Sequence, residues 1–261
     1  MISQNLIDKV KEKREFAGLV DSVVARALEK NGLDVKSARA FLRKYFGIFL
    51  TNKILKPTNC SDYNFFLKKH ISSKKRDYSV FYKKIKKFCP QAKCFIDFGA
   101  GLNGFSYPFI LENFEEARYF GIEASKSLVD LTNSFFKERK YSKAEAINED
   151  IFNLSRAEQL LKESEKIGGE RVVFILQTID ALEILEKDFS KKFLAFLKEK
   201  LNERDLIVLS YSMRSISGKS TIGSKRVWLN KFLEENFKVL LKEEEFGECF
   251  VFFRAYGQSI K

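Results

Sequence analysis

From Lys93 to Tyr256 the chain alternates between short apolar runs and longer segments whose apolar positions recur every three or four residues. Runs of the first kind are buried strands, and segments of the second kind are amphipathic helices. The pattern predicts strands at 93–98, 118–123, 143–148, 171–177 and 205–212, with helices near 103–113, 126–139, 155–166 and 183–201. Such alternation requires a parallel sheet with helices on both faces. Past the fifth strand the style changes: a Ser/Gly/Lys-rich loop spans 213–226, and a helix runs from Trp228 to about Asn236. Two last runs, Lys238–Phe246 and Glu248–Tyr256, are split by Gly247 and read as an antiparallel hairpin. Before Pro90 the pattern is helical. One helix is predicted over Ser3–Asn31, and a second after Asp34, its N-cap, with Val35, Ala38, Leu42, Tyr45 and Phe49 on one face and Lys56-Pro57 at its end. A third lies near Tyr63–Lys69, followed by a basic helix ending in Lys83-Lys84-Ile85-Lys86-Lys87. Cys89-Pro90 divides a helical unit, 1–90, from an α/β unit, 91–261.

The first strand carries the candidate chemistry. Cys94-Phe95-Ile96-Asp97-Phe98-Gly99-Ala100-Gly101-Leu102-Asn103-Gly104-Phe105 runs from an apolar strand through an acid into glycines. Glycines suit a turn that visits conformations a Cβ forbids and that lets a ligand lie against bare backbone. The helix after the turn is expected to offer free N–H groups. Gly99-x-Gly101-x-x-Gly104 fits a dinucleotide fingerprint, so the cofactor is either NAD or S-adenosylmethionine. Asp97, two residues before the first glycine, can fix the turn and accept from an ammonium. Glu123 ends the next strand, where an acid accepts from ribose hydroxyls. The acid-x-Gly-x-Gly order favours S-adenosylmethionine. Five parallel strands plus a terminal hairpin are the elements of a class I methyltransferase, a Rossmann-like sheet, here with an N-terminal helical subdomain.

Charge adds a partner. The chain carries +12, but Met1–Pro90 holds 21 Lys+Arg against 8 Asp+Glu, and the other residues hold 26 against 27. A near-neutral cofactor unit joined to a basic helical one suits an enzyme of nucleic acid, one part holding the cofactor and the other phosphates. No apolar run reaches the ~18 residues of a membrane span, so no membrane partner is expected. Met1–Asp8 lacks the basic and apolar regions of a secretion signal, and the expectation is a cytoplasmic monomer. Cysteines 60, 89, 94 and 249 form no CxxC pair and, with one histidine, no metal set; they read as reduced thiols.

The nucleophile narrows the reaction. Methylation of an exocyclic amine goes with Asn/Asp-Pro-Pro-aromatic after the fourth strand, where this chain has Gln177-Thr178-Ile179-Asp180. Methylation of pyrimidine C5 needs a cysteine nucleophile, and none ends strand four or five. A ring nitrogen such as guanine N7 has a free lone pair and loses no proton, so no general base is expected.

Several blocks together resemble the aminoglycoside-resistance methyltransferases that modify guanine N7 in the decoding site of 16S ribosomal RNA. His70-Ile71-Ser72-Ser73-Lys74-Lys75-Arg76 resembles that family's His-x-Ser-Thr-(Lys/Arg)-Glu-Arg, and Asp97 to Asn103 its Asp-x-x-x-Gly-Leu-Asn. Gly121-Ile122-Glu123 resembles its Gly-x-Asp, and Glu149-Asp150-Ile151 its Gln-Asp-Val. Ser210-Tyr211-Ser212-Met213-Arg214-Ser215-Ile216-Ser217-Gly218-Lys219 resembles its Ser-Phe-Pro-Thr-Arg-Ser-Leu-Gly-Gly-Arg. The resemblance implies roles. Arg76 would grip the cofactor carboxylate or adjoining RNA. Gly99 and Gly101 would lie under the methionine part, Glu123 would take the ribose, Asp150 with Ile151 the adenine, and Gln177 would close the pocket. Arg214, Ser215 and Lys219 would meet the flipped guanosine or its phosphate. His70, Lys74, Lys75, Lys83, Lys84, Lys86, Lys87, Lys225 and Arg226 complete the expected RNA-binding set, on the assembled small ribosomal subunit. The chain departs from the family at Gln177-Thr178, where the family has Lys-Leu, and at Ser220–Gly223, which lacks its Gly-Lys-Gly-Met. Another RNA or base, or a non-catalytic RNA-binding protein of the same fold, stays open as an alternative.

Overall fold

A computed structural model describes residues 2–46, 62–69, 74–213 and 226–256. Its centre is one seven-stranded sheet. Strands β1 (Ala92–Phe98), β2 (Arg118–Glu123), β3 (Ala144–Asn148), β4 (Glu170–Leu176) and β5 (Leu206–Ser212) are parallel, and β6 (Phe237–Glu245) and β7 (Glu248–Ala255) complete it as an antiparallel hairpin. The order is β3-β2-β1-β4-β5-β7-β6. Strand order therefore reverses between β1 and β4, the switch point at whose carboxyl end open α/β sheets bind ligands. The hairpin turns on Phe246 and Gly247, both with positive φ (57° and 83°), a two-residue turn whose twist matches the strands. Edge strand β6 ends in the charged run Lys242-Glu243-Glu244-Glu245, which discourages pairing with another chain.

The strands are buried on both faces, so successive residues enter different cores. Phe95, Phe174 and Phe252 join one core; Cys94, Ile96, Val173 and Phe253 join the other. The first core takes α4 (Tyr63–Lys69), α5 (Tyr78–Phe88), α6 (Tyr107–Asn113) and α7 (Lys126–Glu138); aromatic packing dominates it, with Phe66 stacked on Phe105 at 4.1 Å between ring centroids. The second takes α8 (Leu154–Glu165), α9 (Ile179–Leu185), α10 (Phe189–Lys200) and α11 (Val227–Asn236). Helices α4 and α5 lie before Pro90 yet share the core of the sheet, while α1 (Gln4–Lys11), α2 (Asp21–Lys30) and α3 (Val35–Phe46) build a third cluster around Phe16, Val24 and Leu28. Asp34 caps α3 by accepting from the Ser37 N–H at 2.7 Å.

All seven strands fall where hydrophobic periodicity predicts, and three helices do not. The single helix expected over Ser3–Asn31 is α1 and α2, separated by a segment whose residues 18–20 pair with the loop after β2. The helix expected over 183–201 is two, broken at Asp188 (φ 62°), where the Glu183 carboxylate accepts from the N–H groups of Asp188 and Ser190. The helix expected from 103 begins as a tight 3₁₀ turn, Asn103–Ser106. Phe49, Lys56-Pro57, Cys60 and nearly all of the loop after β5 lie outside the described residues. No helix among the described residues is long and apolar enough to cross a membrane.

Candidate functional site

At the carboxyl end of β1 the chain turns through Gly99 and Gly101, both with positive φ (77° and 50°). A Cβ on Gly99 would stand 2.6 Å from Thr178 Oγ1, so the turn has room for glycine only. Thr178 is fixed there by donating to the carbonyls of Phe98 (3.2 Å) and Leu176 (3.0 Å). Gly104 serves packing: a Cβ would meet the Thr132 methyl of α7 at 2.6 Å. The turn's own N–H groups are not free. Those of Gly99 and Ala100 both donate to the Ile122 carbonyl at 2.9 Å, and that of Gly101 to Glu123 Oε2 at 3.0 Å. The loop spends these donors on β2 and on Glu123, and it presents surface rather than a phosphate cradle. The expectation of free N–H groups concerns the helix after the turn; there the Asn103 N–H donates to the Ala100 carbonyl (2.7 Å) and the Phe105 N–H to the Leu102 carbonyl (3.1 Å).

Asp97 lies fully buried beneath the turn. Its Oδ2 accepts from Asn103 Nδ2 (2.7 Å) and from the Tyr119 hydroxyl (2.9 Å). Its Oδ1 is buried with no partner among the described residues. Burial pushes the carboxyl up to about 6, against the pull of those two donors. Glu123, at the end of β2, is fixed by the N–H groups of Gly101 and of Ser125 (2.9 Å), and burial holds its carboxyl above the usual range. Asp150 is buried in the loop after β3. Its Oδ1 accepts from the Phe152 N–H (3.0 Å) and its Oδ2 from Arg26 Nη1 (3.3 Å). Ile151, beside it, packs partly buried against the second core. The loops after β1, β2 and β3 thus bring Asp97, Gly99, Gly101, Glu123, Asp150 and Ile151 to one end of the sheet.

Arg26 has no counterpart in the sequence reading. It reaches from α2 to Asp150, pairs through Nε with Glu186 (3.2 Å), and lies 4.0 Å over the Phe152 ring. The same N-terminal unit forms a one-residue antiparallel bridge, Leu19 to Ser125, in which the Val20 N–H donates to the Ala124 carbonyl (3.0 Å) and the Lys126 N–H to the Gly18 carbonyl (2.7 Å). No motif marks these contacts, because each joins residues more than a hundred positions apart. The residues next to Glu123 and Asp150 are thus held by the N-terminal helices.

Several expected cations are placed differently. Arg76 is buried: its Nη2 donates to both Glu248 oxygens at 2.9 and 2.7 Å, and the rings of Tyr78, Phe81 and Phe250 surround it at 5.3–5.5 Å. Burial disfavours its charge, and the Glu248 carboxylate more than offsets that. Ser210 Oγ also donates to Glu248 (2.7 Å), tying the pair to β5. Arg76 is therefore an internal cation, not an open grip, and among the described residues its Nε is buried without a partner. Arg226 is likewise buried, against Asp180 and the Tyr211 ring, and not on an open basic surface. On α5, Lys84 is held by Glu243 and Glu245, and Lys86 by the Asn113 carbonyl, while Lys83 and Lys87 are exposed. Lys74 and Lys75 are exposed just before Arg76. Gln177 follows β4 with φ 59°, and its N–H donates to the Ser210 carbonyl at 2.9 Å. His70, Arg214, Ser215, Lys219 and Lys225 lie outside the described residues.

No protein-family model matches the chain, and no curated protein matches it. Solved structures do. The 16S rRNA methyltransferase RmtF, crystallised with S-adenosyl-L-homocysteine, matches 97% of this chain and 98% of its own length with a TM-score of 0.72 at 17% identity. The 16S rRNA methylase ArmA matches 75% of this chain and 91% of its own with a TM-score of 0.54, also at 17% identity. A SAM-dependent methyltransferase from Aquifex aeolicus matches 77% of this chain and 100% of its own with a TM-score of 0.50 at 14% identity. At these identities the likeness is one of fold, and the fold is that of class I methyltransferases.

Proposed function

We propose that this chain is an S-adenosylmethionine-dependent methyltransferase of ribosomal RNA, acting on a guanine N7 of the small subunit. The observation that carries the cofactor is the fully buried Oδ1 of Asp97 beside a glycine turn, which has no partner among the described residues. A buried carboxylate oxygen without a donor is costly, and an ammonium satisfies it. The other residues fit the same molecule. Glu123 has acceptor capacity left for ribose hydroxyls, Asp150 can receive an amino group, and Ile151 supplies apolar contact. The engaged N–H groups of Gly99, Ala100 and Gly101 argue against a pyrophosphate here, and so against NAD. Bound S-adenosylmethionine supplies an electrophilic methyl group for in-line displacement.

The chain's own part is positioning. Thr178 and Glu123 set the turn, Asp97 orients the amine, and the carboxyl ends of β4 and β5 face the acceptor. A ring nitrogen with a free lone pair needs no base. Cys249, on β7 opposite Tyr211, is buried and its thiol is held above the ordinary range, unsuited to nucleophilic attack. RNA as substrate rests on the basic N-terminal third and on the motif resemblance, and it agrees with the two 16S rRNA methyltransferases of similar fold.

The test is methyl transfer from labelled S-adenosylmethionine to purified small ribosomal subunits, with free rRNA and tRNA alongside, followed by mapping of the label. Label on a decoding-site guanine N7, lost in Asp97→Ala, is the expected result. Label elsewhere would keep the methyltransferase and discard that target. No label, together with no cofactor binding by calorimetry, would leave a non-catalytic RNA-binding protein.

A further inference from the structure

The two oxygens of Asp97 have different surroundings. Oδ2 accepts from the Asn103 amide at 2.7 Å and from the Tyr119 hydroxyl at 2.9 Å, whereas Oδ1 is buried with no partner among the described residues. The sheet explains how Tyr119 reaches the acid. Asp97 on β1 is in register with Gly121 on β2, which has no side chain to cover it. Tyr119, two residues back, lies on the same face of β2 as Gly121. Its ring occupies the space that Gly121 leaves: a Cβ there would stand 3.1 Å from both Oη and Cε1 of Tyr119. Tyr107 and Phe136 pack against the ring at 6.1 and 6.0 Å between centroids, and the phenol is fully buried. Close packing of this kind holds the hydroxyl on Asp97.

These bonds decide where a proton can sit. Asn103 is itself anchored, its carbonyl accepting from Ser106 Oγ at 2.6 Å. The two donors on Oδ2 use both of its lone pairs. Neutralising Asp97 therefore places the proton on Oδ1, the oxygen that an ammonium would need. The charged and titratable groups around Asp97 are Arg76 and Tyr82 from the side of α5, and Glu123 and Tyr119 from β2. The Arg76 charge is taken by Glu248. Burial holds both phenols above their ordinary range, so Tyr82 and Tyr119 stay neutral. Glu123 is also raised by burial and is the second carboxyl that can bind a proton here.

We propose that Tyr119 is a positioning residue of the cofactor site: its hydroxyl, with the Asn103 amide, occupies Oδ2 of Asp97 and leaves Oδ1 as the one ionised oxygen that receives the cofactor's ammonium. This deepens the function proposed above and rests on it. Proton and ammonium compete for a single atom. Where Asp97 is protonated in the free protein, cofactor binding breaks the Oδ1–H bond, the ammonium keeps its three protons, and one proton passes to solvent. The Tyr119 hydrogen bond favours the charged carboxylate, so without it Asp97 keeps its proton to higher pH.

The experiment is calorimetry of S-adenosylhomocysteine binding to the full chain across the range from about pH 5.5 to about pH 8, in buffers of different ionisation enthalpy, which counts the protons released. With the Asp97 carboxyl pushed up to about 6, the wild type is expected to release about half a proton per cofactor at pH 6 and about a tenth at pH 7. Tyr119→Phe keeps the ring and loses the donor. It should bind within about threefold of wild type at pH 8, begin to lose affinity about one pH unit higher, and release about half a proton at pH 7. Asn103→Ala removes the other donor and should move the profile the same way, with thermal melting verifying both folds. Asp97→Asn should release none. A Tyr119→Phe profile that follows the wild type, with only the melting temperature changed, would make Tyr119 a core residue and overturn the proposal. So would release that persists in Asp97→Asn, which would belong to Glu123, or a wild type that binds the cofactor at pH 6 with no release. Failure to bind S-adenosylhomocysteine at all would remove the methyltransferase reading and this role of Tyr119 with it.

Discussion

Asp97 sets function against stability within one side chain. Its carboxyl titrates near 6 in the fold, against 3.8 in the unfolded chain, because burial disfavours the charge. The folded protein therefore holds a proton that the unfolded chain has lost. This contribution to stability is complete below 3.8 and is lost as pH rises through about 6, and Glu123, also raised, acts in the same direction. A shift of roughly two units is worth about 3 kcal/mol. Asp97→Asn should accordingly raise the melting temperature of the ligand-free protein at pH 7.5 and flatten its pH dependence. The same variant should lose at least tenfold in S-adenosylmethionine affinity by calorimetry, and wild-type affinity should fall as pH drops below about 6. A variant that neither melts higher nor binds more weakly would deny Asp97 both roles. Gly99→Ala is argued from geometry. Left-handed backbone costs a non-glycine residue about 1–2 kcal/mol, and the Cβ would also press Thr178 at 2.6 Å. Thr178→Ala in the same chain removes Oγ1 and Cγ2, the two closest atoms, so denaturant unfolding of the double variant should recover the steric part of the loss and not the backbone part. The acid and the glycines are legible in the sequence, since their spacing is local. Their partners, Tyr119 and Thr178, are not, because the sheet alone brings them near.

The strands were predictable because burial on both faces leaves unbroken apolar runs, whereas the register shift of β1 against β4 between Ala92 and Cys94 has no mark in that pattern. The helix breaks were hidden for a different reason. Glu183 capping α10, and residues 18–20 bridging to 124–126, are contacts that the 3.6-residue period does not encode. Two ion pairs at opposite ends of the sheet separate element stability from function. Near the amino ends of β4 and β5, Arg171 and Asp205 form a buried pair, with Arg171 Nη1 also donating to the Leu161 carbonyl (3.1 Å). Asp205→Ala leaves that arginine charged and uncompensated and should cost about 3–5 kcal/mol in urea unfolding. The variant that folds should bind cofactor normally, because the pair touches none of the carboxyl-end loops. Arg26 is the opposite case. Arg26→Ala strips the buried Asp150 of its cation and Phe152 of its guanidinium, and should weaken cofactor binding about tenfold while lowering stability by about 1–3 kcal/mol. A double-mutant cycle with Asp150→Ala should return a coupling of about 1 kcal/mol in binding, whereas additive losses would mean that α2 only props the loop.

The charge of the whole molecule fits this division of labour once the structure has sorted it. Of the excess carried before Pro90, part is spent on acids beyond it: Arg26 on Asp150 and Glu186, Arg76 on Glu248, and Lys84 on two glutamates of β6. Among those that face solvent are Lys9, Lys13, Arg14, Lys30 and Lys36 on the N-terminal unit, Lys68 and Lys69 on α4, and Lys74, Lys75, Lys83 and Lys87 around α5. Lys74 and Lys75 directly precede Arg76, whose carboxylate partner begins β7 beside the end of β5, so these exposed cations adjoin the carboxyl end, where the proposed acceptor would approach. Phosphate contacts release counterions, so log Kd should change steeply with log salt, by about 0.9 for each phosphate neutralised on a duplex. Binding to small ribosomal subunits, measured by filter retention between 50 and 300 mM KCl, is therefore expected to show a slope set by several phosphates. Lys74→Glu with Lys75→Glu should lower that slope by about two and weaken binding at every salt concentration. Calorimetric affinity for S-adenosylhomocysteine should stay within about twofold in that variant, since neither lysine touches the cofactor loops. An unchanged slope would shift the RNA surface to the lysines of α1–α3. A slope near zero in the wild type would mean that the basic third of the chain does not meet phosphate at all.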